Sequence, residues 1–145
     1  MKLRRNASLV LATVAIALLL ALSSPAAAGS PDLTGRNFQT PSHNIVCNIE
    51  GHYLRCDIRS GLKLHPHRHC SGDWVGLLLP RAGKARANCA GDTVANGDPQ
   101  VLQYGDTWEQ GAWHCIAKTS GLYCRDRGGW HFKLSRDDWR RWYTP

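Results

Sequence analysis

Ile45-Val46-Cys47-Asn48-Ile49-Glu50-Gly51-His52-Tyr53-Leu54-Arg55-Cys56-Asp57-Ile58 decides the fold. A Gly-X pair suits a two-residue type II′ turn, because glycine takes the positive φ at the first central position. Folding the stretch about Gly51-His52 sets Ile45 opposite Ile58, Cys47 opposite Cys56 and Ile49 opposite Leu54. Strand alternation puts these six side chains on one face. The other face receives Val46/Asp57, Asn48/Arg55 and Glu50/Tyr53, so the hairpin is apolar on one side and polar on the other. Counted outward from the turn, Cys47/Cys56 is a non-hydrogen-bonded pair with Cα atoms about 4.5 Å apart, close enough to bridge.

The same x8 spacing recurs in Cys115-Ile116-Ala117-Lys118-Thr119-Ser120-Gly121-Leu122-Tyr123-Cys124. Ala117 then opposes Leu122, with Lys118 to Gly121 as a four-residue loop. Two stapled hairpins make a weak internal repeat, too short for a solenoid. The registers predict Cys47–Cys56 and Cys115–Cys124, which leaves Cys70–Cys89 by elimination.

Around these hairpins, Trp74 to Leu79 is a short apolar run that fits a buried strand or the start of a helix. Arg81 to Arg86 is a basic loop. Gly91-Asp92-Thr93 and Asn96-Gly97-Asp98-Pro99 signal turns. Val101 to Tyr104 and Trp130 to Leu134 read as strands. Ser135 to Asp138 has the S-x-x-D form of a helix start. Trp139, Trp142 and Tyr143 follow at i, i+3 and i+4, which predicts a short C-terminal helix laying three aromatics on the body. The fold expected is mainly β: a small antiparallel domain with two disulfide-stapled hairpins, a short C-terminal helix and a cleaved N-terminal signal helix.

Residues 1–28 read as a secretory signal peptide, which leaves 29–145 as a single disulfide-rich β domain. Lys2, Arg4 and Arg5 precede an apolar run from Leu9 to Leu22, and Ala26-Ala27-Ala28 supplies an A-x-A cleavage site. The run is shorter than the roughly 20 residues that span a bilayer. No stable membrane insertion is therefore expected after cleavage. An even cysteine count behind such a leader points to an oxidising, extracellular or envelope compartment. The whole chain carries 18 Lys+Arg and 11 Asp+Glu; removing the leader's three cations leaves 15 against 11, a net of +4. That mild charge favours loose contact with anionic envelope polymers, and export argues against a nucleic-acid partner.

Several pieces stand in order along the chain: Phe38-x-Thr40-Pro41-Ser42-x-Asn44-Ile45-x-Cys47, Arg55-Cys56-Asp57-Ile58, Cys70-x-x-Asp73-Trp74 and Cys89-x-Gly91-Asp92-Thr93. Tyr104-Gly105, Gly121-x-x-Cys124 and Phe132-x-Leu134-Ser135-Arg136 follow. In this ordered combination, over about residues 36–139, the chain resembles a family of small secreted actinobacterial proteins classed as a domain of unknown function. The resemblance implies secretion and three disulfides, and no activity. The chain departs from the pattern at His65-Pro66-His67-Arg68-His69, where the family is proline-rich, and at Trp130-His131-Phe132, where it runs Gly-rich or Gly-His.

His65, His67 and His69 are the one cluster with metal-ligand character, since period two sets three imidazoles on one strand face. Pro66 breaks such a strand, and Cys70 is expected to be oxidised, so a polar loop is the simpler account. Trp74 and Trp113 adjoin cysteines and suit packing on disulfides. Trp108, Trp130, Trp139 and Trp142 are candidate binding anchors, because tryptophan buries a large area and keeps a polar handle. Against this stands a small core padded with aromatics. No hydrolase, metalloprotease or phosphate-loop motif is present. Asp57, Asp73, Asp92, Asp106 and Asp126 are scattered acids. The reading favoured is a secreted, non-enzymatic binding or envelope-associated module, with no cofactor, whose partner is an envelope polymer or protein. Two readings stay open beside it: a hydrolase whose site is assembled from distant His and Asp residues, and a metal-binding protein using the histidine loop.

Overall fold

The computed structural model describes residue 33, residues 35–61, residue 70 and residues 72–145. The expected signal helix and the His65/His67/His69 cluster lie outside the described residues. The described chain forms β1 (Asn37–Gln39), β2 (Ile45–Glu50), β3 (Tyr53–Ile58), β4 (Asp73–Pro80) and β5 (Arg86–Ala90). After a long connection come β6 (Thr107–Gln110), β7 (Trp113–Lys118), β8 (Gly121–Asp126), β9 (Trp130–Leu134) and β10 (Trp139–Tyr143). The first five make one antiparallel meander in the order β1-β2-β3-β4-β5, and the second five make another in the order β10-β9-β8-β7-β6. Each strand pairs with its sequence neighbour, so the meander occurs twice.

The stapled hairpin is the second and third strand of each meander. Cys47 pairs with Cys56 in β2–β3, and Cys115 with Cys124 in β7–β8. Both disulfides form with Cα atoms 4.1 Å apart, and Cys70–Cys89 closes the third. Gly51 has φ 58°, as the first turn requires. In the second hairpin Lys118 and Gly121 still pair, so the loop shrinks to Thr119-Ser120 rather than the four residues expected.

Strand alternation aims Cys47, Ile49, Leu54, Cys56, Leu77 and Leu79 at Cys115, Ala117, Leu122, Cys124, Phe132 and Leu134, all buried in one core. Fully burying such a side chain stabilises by about 1.5–3 kcal/mol. The Cys47–Cys56 and Cys115–Cys124 disulfides sit inside this core, whereas Cys70 packs against its edge and Cys89 is exposed. Trp113 reaches between the sheets and donates its Nε1–H to Leu79 O (3.0 Å) and Pro80 O (3.1 Å). Its polar handle is thereby satisfied in a buried setting. The Trp74 to Leu79 run is a strand, with a register shift between Trp74 and Gly76. The Val101 to Tyr104 strand reduces to a single parallel bridge, Gln39 with Val101.

The expected C-terminal helix is corrected to β10, and no helix occurs among the described residues. Ser135 does cap: its Oγ accepts from Asp138 N (3.1 Å). But Ser135 N and Oγ both donate to Asp138 O, at 2.9 and 2.8 Å, which closes a tight hairpin loop instead of launching a helix. A helix over Trp139–Tyr143 would make only about one turn, which is marginal alone. Pairing with β9 satisfies the backbone of the whole segment, Trp139 opposite Leu134 through to Tyr143 opposite Trp130. Trp139 still reaches the core, 5.5 Å from Trp74. Arg141 also faces inward, its Nη1 donating to Ala85 O (2.9 Å). An inward charge on an edge strand discourages further strand addition.

Candidate functional site

The two outer faces differ. The outer face of β1–β5 is covered by residues 91–100, which leave β5, cross β3 and arrive beside β1, where Gln39 N donates to Gln100 O (2.9 Å). The crossing point is fixed by Arg55 and Asp57, adjacent on the outer face of β3 and both buried. Arg55 Nε and Nη2 donate to Asp57 at 3.0 and 2.8 Å. Nη2 also donates to Asp92 O (2.7 Å), and Val94 N donates to Asp57 Oδ2 (3.0 Å). Asn88 Nδ2 completes the set at 3.2 Å. Burial opposes the charge on Arg55, but the hydrogen bond and charge of Asp57, with Glu50 and Asp92 behind, outweigh it and raise its pKa.

Among the described residues, the outer face of β6–β10 has no such cover. Its registers lay out two rows across the five strands. One runs Thr107, Ile116, Tyr123, Lys133, Arg140; the next runs Glu109, His114, Arg125, His131, Trp142. Lys118 ends the third strand-row beside Gly121. Lys118, Arg125, Lys133 and Arg140 thus face Glu109 alone among the strand residues. Asp138, in the β9–β10 loop, binds Lys133 and Arg140, each at 3.0 Å. Those two partners lower its pKa. Arg125 has no hydrogen-bond or ion-pair partner among the described residues. Trp142 stacks on His131 with ring centroids 5.1 Å apart and planes within 12°. Lys118 Nζ lies 5.0 Å over the Tyr123 ring, whose hydroxyl meets Ser120 Oγ at 3.0 Å.

Of the four candidate tryptophans, one stands on this face. Trp108 is a correction: it is 1 % exposed, packs on Phe38 at 4.8 Å and donates to Gly35 O (3.0 Å). Inward alternation in β6 and the need to fill the core beside β1 bury it. Trp130 and Trp139 are half-buried against the core. Trp142 faces outward. Among the scattered acids, Asp57 and Asp92 both pair with Arg55, and Asp126 accepts from Gly83 N (2.7 Å) and Trp130 N (2.9 Å). No group of three or more His, Cys, Asp or Glu able to hold a metal occurs among the described residues. Sequence reasoning missed Arg125, His131, Lys118 and Tyr123. The signal for them was period-two alternation in Tyr123/Arg125 and His131/Lys133.

His131 makes a pH dependence. Burial first, then the charge of Arg125, lower its pKa, against a smaller opposing pull from Asp126. The folded state therefore binds this proton less readily than the unfolded chain. Stability is full above the ordinary value of 6.5 and falls as pH drops from there through the folded value. Asp138 works in a separate, lower window, its contribution lost only below the ordinary 3.8. Urea midpoints measured between about pH 8 and pH 5 should decline, and His131→Gln should flatten that decline. An unchanged slope in the variant would remove His131 as its source.

Beside the Lys118 end, a polar cleft of about 430 Å³ is lined by Thr40, Asn44, Tyr104, Gly121, Ser135 and Arg136 among others. Several of the sequence pieces that carry the family resemblance meet here, and their groups serve the fold. Thr40 Oγ1 accepts from Ile45 N (3.3 Å), and Asn44 exchanges hydrogen bonds with Ser60 at 3.1 and 2.9 Å. A Cβ at Gly121 would lie 2.7 Å from Leu134 O.

Fold and face together define a disulfide-stapled double-meander β protein with one covered and one open, cation-bearing face. The chain belongs to the family described as "Family of unknown function (DUF6636)", whose model matches residues 14–141. No curated protein and no solved structure matches it.

Proposed function

We propose that this is an exported, non-enzymatic binding protein that engages an anionic component of its surroundings through the outer face of β6–β10. The leader, the even cysteine count and the stapled fold support export. The observation that carries the binding reading is the contrast between the faces. One is closed by residues 91–100 over a buried ion pair. The other leaves Arg125 without a partner among the described residues, with His131 and Trp142 in its row and Lys118 and Arg140 elsewhere on the same face. A cation without a partner in the row of an aromatic ring gives charge attraction and a contact surface together.

The test is retention of the purified mature protein on an anionic matrix against a neutral one, at rising salt. Binding should weaken with salt, as exposed charges are screened. Arg125→Glu with Arg140→Glu should lower retention about tenfold, whereas the same reversal at Arg59 and Arg81, exposed on the other meander, should have a small effect. Equal losses from both pairs would mean that net charge, not this face, sets binding.

A further inference from the structure

We propose that Trp142, backed by His131 and flanked by Arg125 and Arg140, is a subsite for an acidic polysaccharide. A sugar ring lies on the indole, and a carboxylate of the chain meets the Arg125 guanidinium. This rests on the reading of the face as an anion-binding surface and names its ligand class.

The platform comes first. One side of Trp142 is covered by His131, and its other side meets no ring or cation among the described residues. A hollow of about 380 Å³ lies against Tyr123, Arg140, Arg141 and Trp142. An indole offers a flat apolar surface with a polar edge, which suits the C–H face of a sugar ring. The acid recognition is next. Arg125 and Trp142 flank His131 in one row, two strand spacings apart, or about 9–10 Å. A ring stacked on Trp142 thus leaves a neighbouring residue of the chain within reach of Arg125. Guanidinium binds carboxylate through paired hydrogen bonds, and Arg125 has no competing partner among the described residues.

Two other polyanions fit less well. Single-stranded nucleic acid is held by successive bases on several rings. Here Lys118 already lies over Tyr123, and Ser120 holds its hydroxyl. Among the described strand residues of this face that leaves one free platform, which matches a chain whose rings need one stacking contact and whose charges are sparse. An extended acidic peptide would add at the β10 edge, where inward Arg141 bound to Ala85 O blunts strand addition.

The experiment titrates the purified mature protein by calorimetry with oligogalacturonate, with its methyl ester and with inorganic polyphosphate. Oligogalacturonate should bind, and esterification should weaken it at least about tenfold, since the charged contact is lost. Trp142→Ala should weaken oligogalacturonate binding about tenfold, while Trp142→Tyr retains most of it. Arg125→Gln should weaken it several-fold at unchanged melting temperature. Polyphosphate should be insensitive to Trp142→Ala. Equal binding of acid and ester overturns the acid recognition. Polyphosphate binding alone, or oligogalacturonate binding indifferent to Trp142, overturns the sugar subsite and leaves the anionic-face reading standing. Failure of both polyanions to bind overturns the two together.

Discussion

Gly76→Ala should unfold much of this protein, although it adds one methyl group. A Cβ at Gly76 would stand 1.9 Å from Cys56 O and 2.8 Å from Cys56 C and Asp57 Cα. All three are backbone atoms of β3, the centre of the first meander, so no side chain can swing aside. Trp74 donates its Nε1–H to Gly76 O, which ties the close approach to the register shift beside it. Relieving the overlap means prising β4 from β3 or displacing the buried Asp57 network. Overpacking of this kind costs about 3 kcal/mol or more. Gly91→Ala is the control, since its Cβ would meet nothing within 4 Å. It should stay within about 0.5 kcal/mol of the parent, as exposed substitutions do. Urea unfolding of the two variants side by side decides the matter; equal midpoints would show that β3 and β4 do not approach so closely.

The second large effect is expected at Asp57. Asp57→Ala leaves the Arg55 guanidinium buried with only Asp92 and the partly exposed Glu50 to answer it, and strips Val94 N and Asn88 of an acceptor. Breaking one partner of a buried pair costs about 3–5 kcal/mol, because the other charge stays out of water uncompensated. The double change Arg55→Met with Asp57→Leu should recover a substantial part, since two apolar groups can replace a buried pair with little loss. Denaturant melts of the single and double variants separate the cases. A double variant no better than the single would place the stabilisation in the Val94 and Asn88 contacts instead of the ion pair. Partial proteolysis adds a local readout: residues 91–100 should become the first cleavage region in Asp57→Ala.

The parts of the fold that were legible from residues alone are the parts closed by short-range pairing. In Ile45 to Ile58 the turn glycine, the apolar face and the cysteine register all act within one hairpin, and each independently fixes the same alignment. β10 was illegible because Trp139, Trp142 and Tyr143 satisfy helical spacing on paper. The decision lay with the open edge of β9 and with Trp74, distant in sequence. Trp108 was misplaced for the same reason, since Phe38 and Gly35 cover it from the first meander. The candidate face was half legible. Alternation in Tyr123/Arg125 and His131/Lys133 does mark one side of two strands as polar. That this side stays open, while the matching side of the other sheet is closed, depends on a crossing made by residues 91–100. Arg55, Asp57 and Asp92 were visible only as letters of the family-like pattern, and the buried network gives them a task.

That crossing also sets a limit on assembly. A slab with two bare faces can accept a neighbour above and another below, and a column grown that way has no natural end. Residues 91–100 remove one of those faces, fastened from within by a buried ion pair. Two copies meeting through their bare faces would leave only strapped surfaces outward, and growth would stop there. Stacking of this molecule through its sheet faces therefore terminates at the pair.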